Sequence, residues 1–406
     1  MRASTPGFSG ARLREAREAR GMTAITLSGL VEISRQAISQ FESGIATPQP
    51  ETFERIAKAL NLPPQFFLRP AAERPQATVF FRSLASATRL QQTRAEKLQE
   101  WMYDVAGLLH DVIDFPDVDL PAVDLPIDFR ALSMERIEAI ADEVRRHWGL
   151  GGGPISDVVL LLENAGVFVA RVELEADELD GLSAWYGDHP FILLAADKEC
   201  AVRSRFDAAH ELGHLVLHRG VDRSTLVKKQ EFRLIENQAH RFAGAFLFPQ
   251  SSFARELYLP TLEGMRRLKP RWLTSVALMI KRTSDLELLN PEQSRNLWRA
   301  YTRKGWRGHE PLDDSLPVEE PRLLRRAVEL ALEEGVWTPE ELLAALTLTP
   351  TDLESLANLP RGRLSPAPSP PQVIDLKLRQ RPAPRVNADK AGEITPFRSR
   401  EERTTK

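Results

Sequence analysis

Apolar residues recur at helical spacing along most of the chain and shift to strand-like runs only near its middle. The first 68 residues read as four short helices. Ala11–Arg20 is closed by Gly21, and Thr23 caps a second helix through Val31, with Leu27 and Leu30 facing inward. Ser34 caps a third, Arg35–Glu42, which ends at Gly44. Thr52–Leu60 is the fourth, with Phe53, Ile56, Ala57 and Leu60 on one side. After a loop holding Pro70 and Pro75, the run Phe80–Leu84 reads as a short strand or a docking segment. From Thr88 to about Asp114, Leu90, Ala95, Leu98, Trp101, Met102, Val105 and Leu109 form one stripe. It suits either a dimer contact or a scaffold inside the chain.

An Asp/Pro-rich extended stretch, Phe115–Pro126, separates this helix from the middle of the chain. Helices are predicted over Met134–His147 and Ile155–Asn164, the latter closed by Gly166. Val167–Val172, Gly181–Tyr186 and Pro190–Leu194 then read as a small sheet. Two more helices cover 203–218 and 231–248, with Pro249 as a stop. Residues 252–345 return to helical spacing, and Lys269–Arg282 has a helix-turn-helix look. From Ser365 the chain is Pro-rich and polar, as in a disordered tail. The predicted fold class is mainly α with a small β-sheet (α+β). The expected division is a helical domain over 10–68, a helical linker over 69–126, a sheet-containing domain over 127–255, a helical region over 256–364 and a tail over 365–406.

Composition narrows the picture only a little. The 406 residues suffice for two or three domains. Hydrophobic residues make up 42 %, an ordinary share for a globular protein. The formal net charge is −3, so any nucleic-acid footprint must be local. Cys200 is the single cysteine, which rules out an internal disulfide and agrees with a cytoplasmic protein. No signal peptide and no membrane span are expected.

The chemistry concentrates in 203–218, where His210, Glu211 and His214 spell H-E-x-x-H. On a helix, positions i and i+4 share a face, so both imidazoles can bind one Zn²⁺ from the same side. Glu211 stands beside them, able to take a proton from a water at the metal. Leu212, Leu215, Val216 and Leu217 mark the helix as buried, where polar groups without partners are costly. The bland alternative is a core helix with hydrogen-bonded histidines. A third ligand is needed. Glu236 lies on the next helix, 22 residues after His214, far enough for an antiparallel return. The competitor, His218, lies eight residues beyond His210, about 12 Å along a straight helix axis, and suits a structural role better.

The run R-x-R-F-D-x-A-H-E-L-G-H-L-V-L-H, followed by E-x-x-A-x-R-F-A-x-x-F-L-x-P, resembles the ImmA/IrrE family of bacterial zinc metallopeptidases. The resemblance implies His210 and His214 as zinc ligands, Glu211 as general base and Glu236 as third ligand. His240 stands where the family usually has Asn, a position expected to orient a ligand. In zinc peptidases of this architecture a sheet edge lies along the cleft, where a peptide can pair by main-chain hydrogen bonds.

Residues 10–68 resemble the XRE/Cro-type helix-turn-helix domain. The resemblance places Arg35, Gln36, Ser39 and Gln40 against base edges in double-stranded DNA, with Ile38 and Phe41 in the core. Two positions depart from the pattern. Ala24 replaces a usual Gln, and Glu32 replaces the usual turn Gly. A helical interaction module that no longer binds DNA is the alternative.

Together these features describe a bacterial transcriptional regulator fused to a zinc-dependent peptidase, with a repressor-type protein as substrate and a homodimer as a possible state. The rival is a regulator whose zinc domain senses a ligand or partner and cuts nothing.

Overall fold

Side-chain caps set the phase of the first helices. In the computed structural model, which describes residues 5–81, 87–176, 178–197 and 200–365, Ser9, Thr23 and Ser34 each accept a backbone N–H three residues on. They open Gly10–Ala19, Ala24–Leu30 and Arg35–Glu42, and Pro50 at the first turn opens Pro50–Ala59. Leu13, Leu27, Ile38, Ile56 and Leu60 are fully buried between them. Leu30, expected inside, is 57 % exposed, because Val31, one turn after Leu27, takes the core position. Glu32 adopts φ 53°, the left-handed turn that glycine makes more cheaply.

The long helix Arg89–His110, opened by a Thr88–Gln91 capping box, is a scaffold. Its buried stripe, Ala95, Trp101, Met102, Val105 and Leu109, joins the core of the first four helices to one face of the sheet and to the helices over 323–356. The apolar face considered for a dimer contact is therefore used within the chain. Arg20 at the end of the first helix forms a bidentate ion pair with Asp352, at 2.5 and 2.7 Å.

The sheet has four strands: β1 (Phe80–Phe81), β2 (Phe168–Val172), β3 (Gly181–Tyr186) and β4 (His189–Ala195), in the order β1-β3-β4-β2. β3 and β4 form an antiparallel hairpin, and β2 runs parallel to β4. Alternation sorts their side chains. Phe168, Ala170, Phe191 and Leu193 face the long helix, while Val169, Ile192 and Leu194 face the opposite core. That second core holds the motif helix Ala201–Leu217 and the helix Lys229–Leu247 packed on it.

Phe80 and Phe81 do form a strand, and the remaining residues of the expected 80–84 run lie outside the described residues. The helix-turn-helix look of 269–282 is real as geometry: Leu262–Trp272 and Val276–Asp285 meet at Leu273, φ 51°, with Ser275 as cap. Its apolar residues Trp272, Val276, Met279 and Ile280 are spent in a local core with Phe248 and Phe253. The expected tail over 365–406 lies outside the described residues apart from Ser365.

Candidate functional site

Two helices and one strand bring the polar groups together. The motif helix buries His210, Glu211 and His214 completely. Gly213 lets the second helix approach: a Cβ there would lie 3.1 Å from Phe242 Cδ1 and 3.3 Å from the Ala239 backbone. This close crossing delivers Glu236. Its Oε1 lies 3.1 Å from His214 Nε2, its Oε2 lies 3.6 Å from His210 Nε2, and the two Nε2 atoms are 3.0 Å apart. Two ligands of a tetrahedral zinc at about 2.05 Å stand roughly 3.3 Å apart, so the spacing suits one ion.

The protonation states suit a cation as well. Burial drives His210 well below the usual imidazole range, which keeps the ring neutral. Two imidazoles and one carboxylate are a donor set for a divalent ion. Among the described residues, His210, His214 and Glu236 form a group whose ligand atoms all lie within 4.8 Å of one another.

The surroundings fix the tautomer of His214. The Phe129 carbonyl accepts a hydrogen bond from Gln238 Nε2 at 2.8 Å, so Gln238 Oε1 must face His218 Nε2, at 3.0 Å. His218 Nε2 therefore carries the proton, and its Nδ1 accepts from His214 Nδ1–H at 3.1 Å. His214 is left with its Nε2 lone pair aimed at Glu236 and His210. Burial lowers His218 to about 3, which keeps it neutral in this relay. His218 thus holds the His214 ring in place, and Gln238 is a residue of the candidate site that sequence reasoning missed.

Glu211 is held from the sheet, where Ser183 Oγ–H donates to Glu211 Oε2 at 2.6 Å. Gly181 leaves room for the same carboxylate, since a Cβ there would come within 3.4 Å of Oε1. Trp185 Nε1–H donates to the Leu215 carbonyl at 3.1 Å, which ties β3 to the motif helix. His240 lies one turn beyond Glu236, its ring 4.6 Å from that of His210 and stacked on Phe206 at 5.4 Å. Both His240 and Phe206 line a cavity of about 500 Å³ that also takes in Cys200, Lys281 and His309.

The predicted DNA-reading residues lie on the third helix, Arg35–Glu42. Arg35, Gln36 and Ser39 are exposed and Gln40 is half-buried, while Ile38 is buried and Phe41 packs edge-on to Phe8.

Residues 13–67 match the helix-turn-helix family model, and residues 162–284 match the model for the IrrE N-terminal-like domain of the M78 peptidase family. The chain is a fusion of an XRE-type helix-turn-helix with an ImmA/IrrE-like domain. The second match contains every residue of the candidate metal group together with Ser183, His218 and Gln238. Search of the curated proteins gave no match. Among the described residues no helix is long and apolar enough to cross a membrane.

Proposed function

We propose that this DNA-binding regulator is also a zinc metallopeptidase, with His210, His214 and Glu236 as ligands and Glu211 as general base. The observation that carries the reading is the convergence of two imidazoles and one carboxylate, from two helices, within the span of one ion. A bound Zn²⁺ would supply Lewis-acid polarisation of a carbonyl and acidify a water.

The chain's own residues do the rest. Glu211 takes a proton from the attacking water and passes it to the leaving amine. Ser183 holds the Glu211 carboxylate on the sheet side. The relay from Gln238 through His218 keeps His214 in the tautomer that offers Nε2. His240 flanks His210 on the side of the 500 Å³ cavity.

The substrate is a protein, and a repressor-type partner fits a peptidase attached to a DNA reader. Arg35, Gln36, Ser39 and Gln40 would contact bases in the major groove. Zinc-loaded wild type and Glu211→Gln, incubated with neighbouring repressors from the same genome, test the reading by mass spectrometry. New fragments with wild type alone support it, and identical intact masses in both refute turnover. One observation favours the rival, a sensor that cuts nothing: Phe80 lies face to face with His214, at 4.9 Å and 11°.

A further inference from the structure

β3 has two edges. β4 takes one, and β1 takes the other, pairing antiparallel with Phe80 opposite Ser183 and Phe81 opposite Leu182. The occupied edge lies beside the metal group, because Phe80 of β1 stacks on the His214 ring at 4.9 Å. An extended peptide presented to Glu211 along this edge needs the hydrogen-bonding positions that β1 already fills.

Side chains of the segment alternate as in a bound strand. Val79 and Phe81 enter the core shared with the long helix, and Phe80 points the opposite way. Phe80 is 3 % exposed, stacked on His214, 5.8 Å from the His218 ring, and packed with Val221, Leu226, Phe232 and Ile235. His210, Glu211 and His214 have no exposure with the strand in place.

We infer that Val79–Phe81 is a built-in occupant of the substrate strand site, and that the chain's ligands are extended peptides whose aromatic side chain replaces Phe80 against His214. The inference rests on reading His210, His214 and Glu236 as the metal centre. It goes further in assigning the site's closure to this chain and its selectivity to an aromatic side chain. A two-residue pairing is short enough to be exchanged. The pocket lined by Val221, Leu226, Phe232 and Ile235 is apolar and accepts a planar ring. Upstream, Arg74 is bound to Glu15 of the first helix at 2.8 Å, to Glu100 at 2.7 Å and to Asp104. The plug is therefore tethered, six residues away, to the DNA-reading unit.

The test uses the full zinc-loaded chain carrying Glu211→Gln, so that binding is read without cleavage. The probe is a fluorescent peptide with the sequence of residues 76–81, Gln-Ala-Thr-Val-Phe-Phe. Adding Phe80→Ala to the protein should tighten peptide binding about tenfold, since the competing strand is weakened. The same peptide with Phe80→Ala should bind about tenfold more weakly. Equal affinity of both proteins, or of both peptides, overturns the inference. Should Phe80→Ala fail to fold, hydrogen exchange on the Glu211→Gln chain decides. Saturating peptide should speed exchange at the Phe80 and Phe81 amides while β3 stays protected, and no change at those amides overturns the proposal. Zinc content measured on the same samples separates the two readings. Full zinc with no peptide binding to Phe80→Ala sinks the strand site and leaves the metal centre standing.

Discussion

His210, Glu211 and His214 were legible in the sequence because one helix carries them at a spacing that periodicity fixes. Their supporting residues were not, because Ser183, Gln238 and Phe80 arrive from a strand, another helix and a distant linker. Gln238→Ala tests that support. It removes the acceptor that sets the His218 proton, and zinc affinity should fall about 10–100-fold by competition with a chelator. Unaltered affinity would show that the relay does not set the His214 tautomer. Glu163 offers a test by pH. It is 2 % exposed, and its carboxylate accepts N–H bonds from Arg322 and Leu323 at 2.8 Å. Burial pushes it up to about 7, against those donors. A folded-state pKa above the unfolded one means that the protonated form is the stabilised one. Its stabilisation is fully present below about 4.5 and lost as pH rises through about 7. Relative to Glu163→Gln, wild type should lose up to about 3 kcal/mol between about pH 4.5 and 8, read from urea melts. A wild-type advantage that grows with pH would contradict this.

At the scale of elements, the sequence located the helices well because caps are local. Thr23 and Ser34 accept backbone N–H groups at the starts of their helices, whereas Asp157 caps Val158–Asn164 three residues after the start expected at Ile155. The pairing of β1 with β3 was not legible, since two residues carry no periodicity. The crossing of the motif helix with Lys229–Leu247 decides the site, and Gly213 sets its closeness. Gly213→Ala changes no ligand, but the added methyl meets the Ala239 backbone at 3.3 Å. The variant should lose about 1–3 kcal/mol in thermal or denaturant unfolding, and bind zinc several-fold more weakly. Wild-type zinc affinity in a folded Gly213→Ala would mean that the crossing distance is not what places Glu236.

Across the whole molecule, both matched regions were recognisable from local runs, whereas their packing together was not. One core runs from Leu13 and Ile56 through Trp101 and the sheet face to Leu324 and Leu353, and the Arg20–Asp352 pair spans 332 positions of sequence. Such contacts join helices whose own patterns say only that one face is apolar. They place the helix-turn-helix, the scaffold helix and the candidate metal group in one connected body. The central claim is that this body holds a single zinc through His210, His214 and Glu236. Metal analysis of purified wild type, Glu211→Gln and Glu236→Ala tests it most directly. About one zinc per chain is expected in the first two and almost none in the third, because three protein ligands leave no spare. Full zinc occupancy in Glu236→Ala would contradict the account.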